Sequence, residues 1–149
     1  MISCDTNILY AAYNESSHEH ALAYNFISEY RANPEFVLCE QVLMEFYCLL
    51  RKPALTHALS AEEAVNVVQV YRMNPMWRIV DGISHHREGM NKIWRKASDR
   101  NFAYRKIFDL RLAETLISNG VDVFATRNIK DFAECGFKRV FDPCKSADH

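Results

Sequence analysis

Short apolar runs alternate with longer stretches of helical period along this chain. Runs suited to strands occur at Ile2-Ser3-Cys4, Phe36-Val37-Leu38, Trp77-Arg78-Ile79-Val80, Val121-Asp122-Val123-Phe124 and Arg139-Val140-Phe141. A helix is predicted from near Ser17, where Ser16 and Glu19 have the spacing of a capping box and Leu22, Phe26, Ile27 and Tyr30 form a stripe. A second runs from about Gln41, with Val42, Leu43, Phe46, Leu49 and Leu50 on one face, and stops before Pro53. A third covers Ala61 to about Tyr71, and a more polar one lies within 84–101. The last long helix is expected from Asp109 to Ser118, closed by Asn119-Gly120, and a short one follows the fourth strand. Strands alternating with helices predict one α/β domain with a mainly parallel sheet of about five strands. Residues 1–143 belong to it, and 144–149 form a loose tail.

In a parallel sheet ligands sit beyond the carboxyl ends of the strands, so acids at those ends carry the most information. Asp5 ends the first strand, where it reads as a helix N-cap and as a ligand alike. Glu45 falls on the border of its helix's apolar stripe, one turn or so after the second strand; a boundary glutamate is the plain alternative. Asp109 projects onto the centre of the stripe made by Leu112, Ala113, Leu116 and Ile117, whereas Arg111 and Glu114 point away. An acid at the head of a buried face needs a hydrogen bond, a cation or a metal. An N-cap role is the alternative, without a reciprocal capping box because Leu112 occupies the N3 position. The loop 125–132, Ala-Thr-Arg-Asn-Ile-Lys-Asp-Phe, places a hydroxyl, an amide and the Asp131 carboxylate after the fourth strand, and it also reads as an ordinary turn. Together, Asp5, Glu45, Asp109 and Asp131 aim several carboxylates at one end of one sheet. Their repulsion favours a divalent cation, and ligation by oxygen alone suits Mg²⁺ or Mn²⁺.

Composition narrows the alternatives. The chain has 149 residues and a net charge of −1, so any nucleic-acid affinity comes from a local patch. Its five cysteines form no CxxC pair, which points to a reducing compartment, and the opening residues carry no secretory signal. No apolar run is long enough for a membrane span, so a cytoplasmic location is expected. With only four glycines, none in a phosphate-cradling array, a dinucleotide or P-loop enzyme is excluded. A haloacid-dehalogenase-like phosphatase needs a second Asp two residues after the first, and Asn7 stands there.

These pieces resemble a PIN-domain ribonuclease, specifically the VapC-type toxins of toxin–antitoxin pairs. The carriers are Asp5-Thr6-Asn7-Ile8-Leu9, Glu45, Phe108-Asp109-Leu110-Arg111-Leu112-Ala113 and the loop 125–132; the likeness extends from Ile2 to Pro143. The resemblance implies a three-layer α/β/α fold and a Mg²⁺- or Mn²⁺-dependent endoribonuclease that leaves 5′-phosphate and 3′-hydroxyl ends. It also implies a cognate antitoxin and a homodimer. Asp5 and Asp109 would bind metal directly, and Glu45 directly or through water. Thr6, Thr126 and Asn128 would support them from behind. Many members carry an aspartate where this chain has Asn128, so the fourth acid is assigned to Asp131, just before the phenylalanine. A silent PIN scaffold that binds RNA or a protein is the alternative function.

Arg95, Lys96, Arg100, Arg105 and Lys106 stand against one acid, Asp99, between Trp94 and Phe108. With Trp94, Phe102 and Tyr104 interleaved, this stretch is the expected RNA-guiding segment; a solvated helix face is the plain alternative. His18, His20, His85 and His86 lack acid or cysteine partners at ligand spacing and are expected at the surface.

Overall fold

The computed structural model describes residues 1–52 and 58–146. Five strands form, each three residues long: β1 (Ile2–Cys4), β2 (Val37–Cys39), β3 (Arg78–Val80), β4 (Val123–Ala125) and β5 (Arg139–Phe141). All pairings are parallel. They form a three-stranded sheet, β1-β4-β5, and a two-stranded sheet, β2-β3, in place of the single sheet of about five expected. One parallel bridge, Ile2 to Phe36, joins the two, with the Ile2 amide donating to the Glu35 carbonyl at 3.0 Å. Every residue of β1 and β2 is buried, as befits central strands covered on both faces.

Seven helices surround these strands among the described residues: α1 (Thr6–Tyr13), α2 (His20–Glu29), α3 (Glu40–Leu50), α4 (Ala61–Arg72), α5 (His86–Ala97), α6 (Lys106–Ser118) and α7 (Ile129–Phe132). They pack in two groups. In one, α1 contacts α2 and α3, and α3 contacts α4; in the other, α6 contacts α5 and α7. This is the α/β/α layering expected. The core between the layers is aromatic: Phe124 stacks on Phe137 with centroids 4.9 Å apart, and Phe36 lies 4.6 Å from Trp77. The buried Trp77 indole donates to the Tyr30 carbonyl at 2.7 Å, so its polar edge is not left unsatisfied.

Several local expectations are corrected. The capping box forms at Ser60 and Glu63, at the head of α4, not at Ser16 and Glu19. Helix α2 therefore starts later, and it buries Ala23, Phe26 and Ile27 while Leu22 is exposed. Helix α6 begins at Lys106, three residues before Asp109, which puts Asp109 in its first turn and removes the N-cap alternative. Glu114 does not face solvent freely: it lies against α5, 3.4 Å from Lys92. At the end of α6 the Gly120 amide donates to Ile117 and the Val121 amide to Leu116, the paired bonds of a Schellman stop, with Gly120 at φ 93°. Helix α3 ends at Leu50, and Pro53 lies outside the described residues. The tail opens in a turn in which the Cys144 amide donates to Asp142, and 147–149 lie outside the described residues. Among the described residues no helix is long and apolar enough to cross a membrane.

Candidate active site

Chain direction across the sheet changes at β1, which pairs with β4 on one side and meets β2 on the other. The carboxyl ends of β1 and β4 are thus where a ligand crevice is expected. Register makes them level: Cys4 pairs with Ala125, and the next amide, that of Asp5, donates to the Ala125 carbonyl at 2.9 Å. Asp5 and Thr126 consequently leave the sheet side by side.

Asp5 is 7% exposed, and its carboxylate is held from three directions. Oδ1 accepts the Thr6 amide at 2.8 Å, so Asp5 is the N-cap of α1. Oδ2 accepts the Thr126 hydroxyl at 2.7 Å and the Asn7 amide nitrogen at 3.2 Å. The cap role and the site role coincide in one side chain. Burial pushes its pKa up, the bonds from Thr126 and Thr6 pull it down, and the charges of Glu45 and Asp131 push it up again.

Glu45 reaches the same place from the exposed side of α3. Thr6 Oγ1 lies 3.0 Å from Glu45 Oε2 and 3.3 Å from the Val42 carbonyl. Gln41, one turn earlier on α3, donates to Glu45 Oε1 at 3.3 Å, and its own carbonyl oxygen lies 3.4 Å from an Arg111 nitrogen on α6. Asp109 comes from the first turn of α6. Its pKa is pushed up to about 6, first by burial and then by the charges of Asp131, Asp5 and Glu45, against a weaker pull from Lys106. Each of these acids feels the others because they share one region of low solvent access.

Asp5, Glu45, Asp109 and Asn128 line a cleft of about 470 Å³, with Thr6 and Asn7 in its wall. Asp131 lines a neighbouring pocket instead, although its charge is the foremost one acting on Asp109. Thr126 is fully buried and its Oγ1 accepts the Asn128 amide at 3.0 Å, so the loop after β4 is tied directly to Asp5. Among the described residues no three acid, histidine or cysteine side chains converge closely enough to enclose a metal by themselves. The donors facing the cleft are carboxylate, hydroxyl and amide oxygens, the hard set that suits Mg²⁺ or Mn²⁺, which complete their shells with water and phosphate oxygens. The residues fit such an ion.

Three residues of this network escaped the sequence reading. Asn7 and Gln41 carry no motif of their own, although the i, i+4 spacing of Gln41 and Glu45 marks them as neighbours on one helix face. Lys130 lines the pocket beside Asp131 together with Arg95, Lys96 and Lys106; Arg100 and Arg105 of the expected RNA-guiding segment are not in that wall. Of the histidines, His18, His85 and His86 are exposed as expected. His20 is half-buried, its Nδ1 3.0 Å from the Ala11 carbonyl.

Comparison with known proteins agrees with the geometry. A PIN-domain profile matches residues 2–138. The chain is 44% identical over 147 residues to Ribonuclease VapC24 of Mycobacterium tuberculosis, an alignment covering 98% of this chain and 99% of that protein. The fold is shared with VapC20 of Mycobacterium tuberculosis, described as a Sarcin-Ricin loop cleaving toxin (TM-score 0.64, 19% identity, 92% and 96% of the two chains). It is also shared with FitAcB from Neisseria gonorrhoeae (TM-score 0.65, 17% identity, 96% and 98% covered). The chain therefore belongs to the PIN-domain family, among its VapC-type ribonucleases.

Proposed function

We propose that this ribonuclease is a Mg²⁺- or Mn²⁺-dependent endoribonuclease that cuts RNA at the cleft lined by Asp5, Glu45 and Asp109, and that it serves as the toxin of a toxin–antitoxin pair. The observation that carries the reading is the meeting of Asp5, from the end of β1, with Asp109, from α6, in one cleft where each raises the other's affinity for a proton. Metal would be held by Asp5 and Asp109, and by Glu45 directly or through water. Asp131 acts from the adjoining wall, and Asn128 occupies the cleft position nearest to it on the same loop. When bound, the ion supplies a Lewis acid that activates water and neutralises charge on the phosphate.

The chain's own part is to fix the oxygens. Thr126, Asn7 and the Thr6 amide leave Asp5 little rotational freedom, and Thr6 with Gln41 holds Glu45 from both oxygens. Such preorganisation keeps the cost of ordering low when substrate arrives. The likeness to VapC24 supports ribonuclease chemistry, and a toxin of this type requires a cognate antitoxin in the same cell. Purified protein with Asp5→Asn or Asp109→Asn should lose RNA cleavage while keeping its circular dichroism spectrum, and EDTA should silence the unaltered protein. Full cleavage by both variants would overturn the assignment. Metal-independent RNA binding without cleavage would favour the silent scaffold.

A further inference from the structure

Beside the acid cleft, on the other side of the ridge made by α7 and the first turn of α6, lies a second cavity of about 400 Å³. Four cations line it: Arg95 and Lys96 from the end of α5, Lys106 from the start of α6, and Lys130 from α7. Among the described residues none of the four makes an ion pair, whereas Lys92, Arg72, Arg127 and Lys138 all do. Three acids, Asp99, Asp131 and Glu134, share the wall, leaving a surplus of one positive charge. Phe102, half-buried, supplies an aromatic surface between α5 and α6. The volume suits one small ligand of drug or nucleotide size.

We infer that this cavity is a nucleotide subsite, which receives one unstacked nucleotide of single-stranded RNA next to the scissile phosphodiester. Unpaired cations around a cavity are costly to assemble and are relieved by a phosphate, and the surplus of one matches a single phosphate better than a run of them. A base turned out of its stack finds a π-face in Phe102, and an aromatic platform of this kind accepts any base. Asp131 lines the cavity and acts on Asp109, and Lys106 stands one helical turn before Asp109, so a nucleotide held here places its neighbouring phosphate toward the acid cleft. The inference deepens the proposed function and rests on the acid cleft being the place of cleavage. It accounts for Lys130 and Phe102, which the metal chemistry does not use.

The test is binding of a fluorescein-labelled single-stranded RNA octamer to the full chain in EDTA, across a salt series. Two variants are compared with the unaltered protein: Lys96→Ala with Lys130→Ala, and Phe102→Leu, which keeps an apolar side chain of similar burial without the ring. The double variant should bind at least tenfold more weakly at low salt, with the salt slope reduced by about 1.4 for two lost phosphate contacts on a single strand. Phe102→Leu should weaken binding about tenfold without changing the slope, because stacking releases no counterions. Unchanged affinity in both variants, with unaltered melting temperatures, overturns the subsite. RNA cleavage by Asp5→Asn is measured in parallel. If that variant still cuts while the subsite variants bind weakly, the subsite stands and the acid cleft is not the place of cleavage.

Discussion

The Thr126 hydroxyl donates to Asp5 Oδ2 at 2.7 Å, linking side chains 121 positions apart at the ends of two paired strands. Both are buried, so the bond is shielded from water, and the same hydroxyl oxygen accepts the Asn128 amide. Thr126→Val keeps the shape of the side chain and removes both interactions. Losing partners for a buried carboxylate and a buried amide should destabilise the protein by about 1–3 kcal/mol. It should also raise the Asp5 pKa further, since Thr126 is the largest influence holding it down. Urea denaturation measures the first effect, and the acid limb of the pH–activity profile, moved to higher pH, measures the second. A variant of unaltered stability and pH profile would show that the bond carries no weight.

The raised pKa of Asp109 makes a prediction about stability without metal. Its value of about 6 in the folded state lies above the ordinary aspartate value, so the folded protein binds more protons than the unfolded chain between roughly pH 4 and 6. The contribution is therefore full below about pH 4 and is lost as pH rises through 6. In EDTA, Asp109→Asn should flatten this part of the stability curve and make the protein more stable than the unaltered one at pH 7.5. Equal unfolding midpoints at pH 7.5 would contradict mutual repulsion in the cleft.

Divalent metal should reverse that repulsion. An ion that binds only the folded state raises the melting temperature by mass action, and its ligands must be ionised to hold it. Thermal unfolding with millimolar Mg²⁺ or Mn²⁺ should show a rise at pH 7.5 that shrinks at pH 5, where Asp109 is protonated. The rise should vanish in Asp5→Asn with Asp109→Asn. A rise that persists in this double variant would place the ion elsewhere.

The sequence made much of this visible, because strands and acids obey local rules. All five strands lie within two residues of their apolar runs, since three-residue buried strands are read from hydrophobicity alone. The meeting of Asp5, Glu45 and Asp109 follows from strand-end position, and the structure puts all three in one cleft. Features that depend on competition between equivalent local signals were hidden. Ser-x-x-Glu spacing occurs at both Ser16 and Ser60, yet only Ser60 caps; at the first site Ser17 takes Glu19 at 2.7 Å and α2 begins beyond it. Leu22 looked like core on periodicity, but docking of Ala23, Phe26 and Ile27 turned it outward. The division of the basic segment, with Arg95, Lys96 and Lys106 in the cavity wall and Arg100 and Arg105 outside it, depends on the turn between α5 and α6, which no period encodes.

The stop of α6 offers a test of the scaffold that is independent of the site. Gly120 has φ 93°, where a side chain is strained, and an added Cβ would collide with the Met1 side chain. The two bonds of its Schellman motif position Val121, which leads into β4 and so sets the register that brings Thr126 beside Asp5. Gly120→Ala should therefore cost about 1–2 kcal/mol, through left-handed strain plus the clash. Gly82, also exposed, has open space around the position a Cβ would take, and Gly82→Ala should stay within about 0.5 kcal/mol of the unaltered protein. Paired urea titrations decide it. If the two variants lose stability equally, the cost comes from general loss of glycine and not from the helix stop. If Gly120→Ala alone falls, RNA cleavage measured well below its melting point should persist, because the strain lies at the end of the sheet opposite the acids.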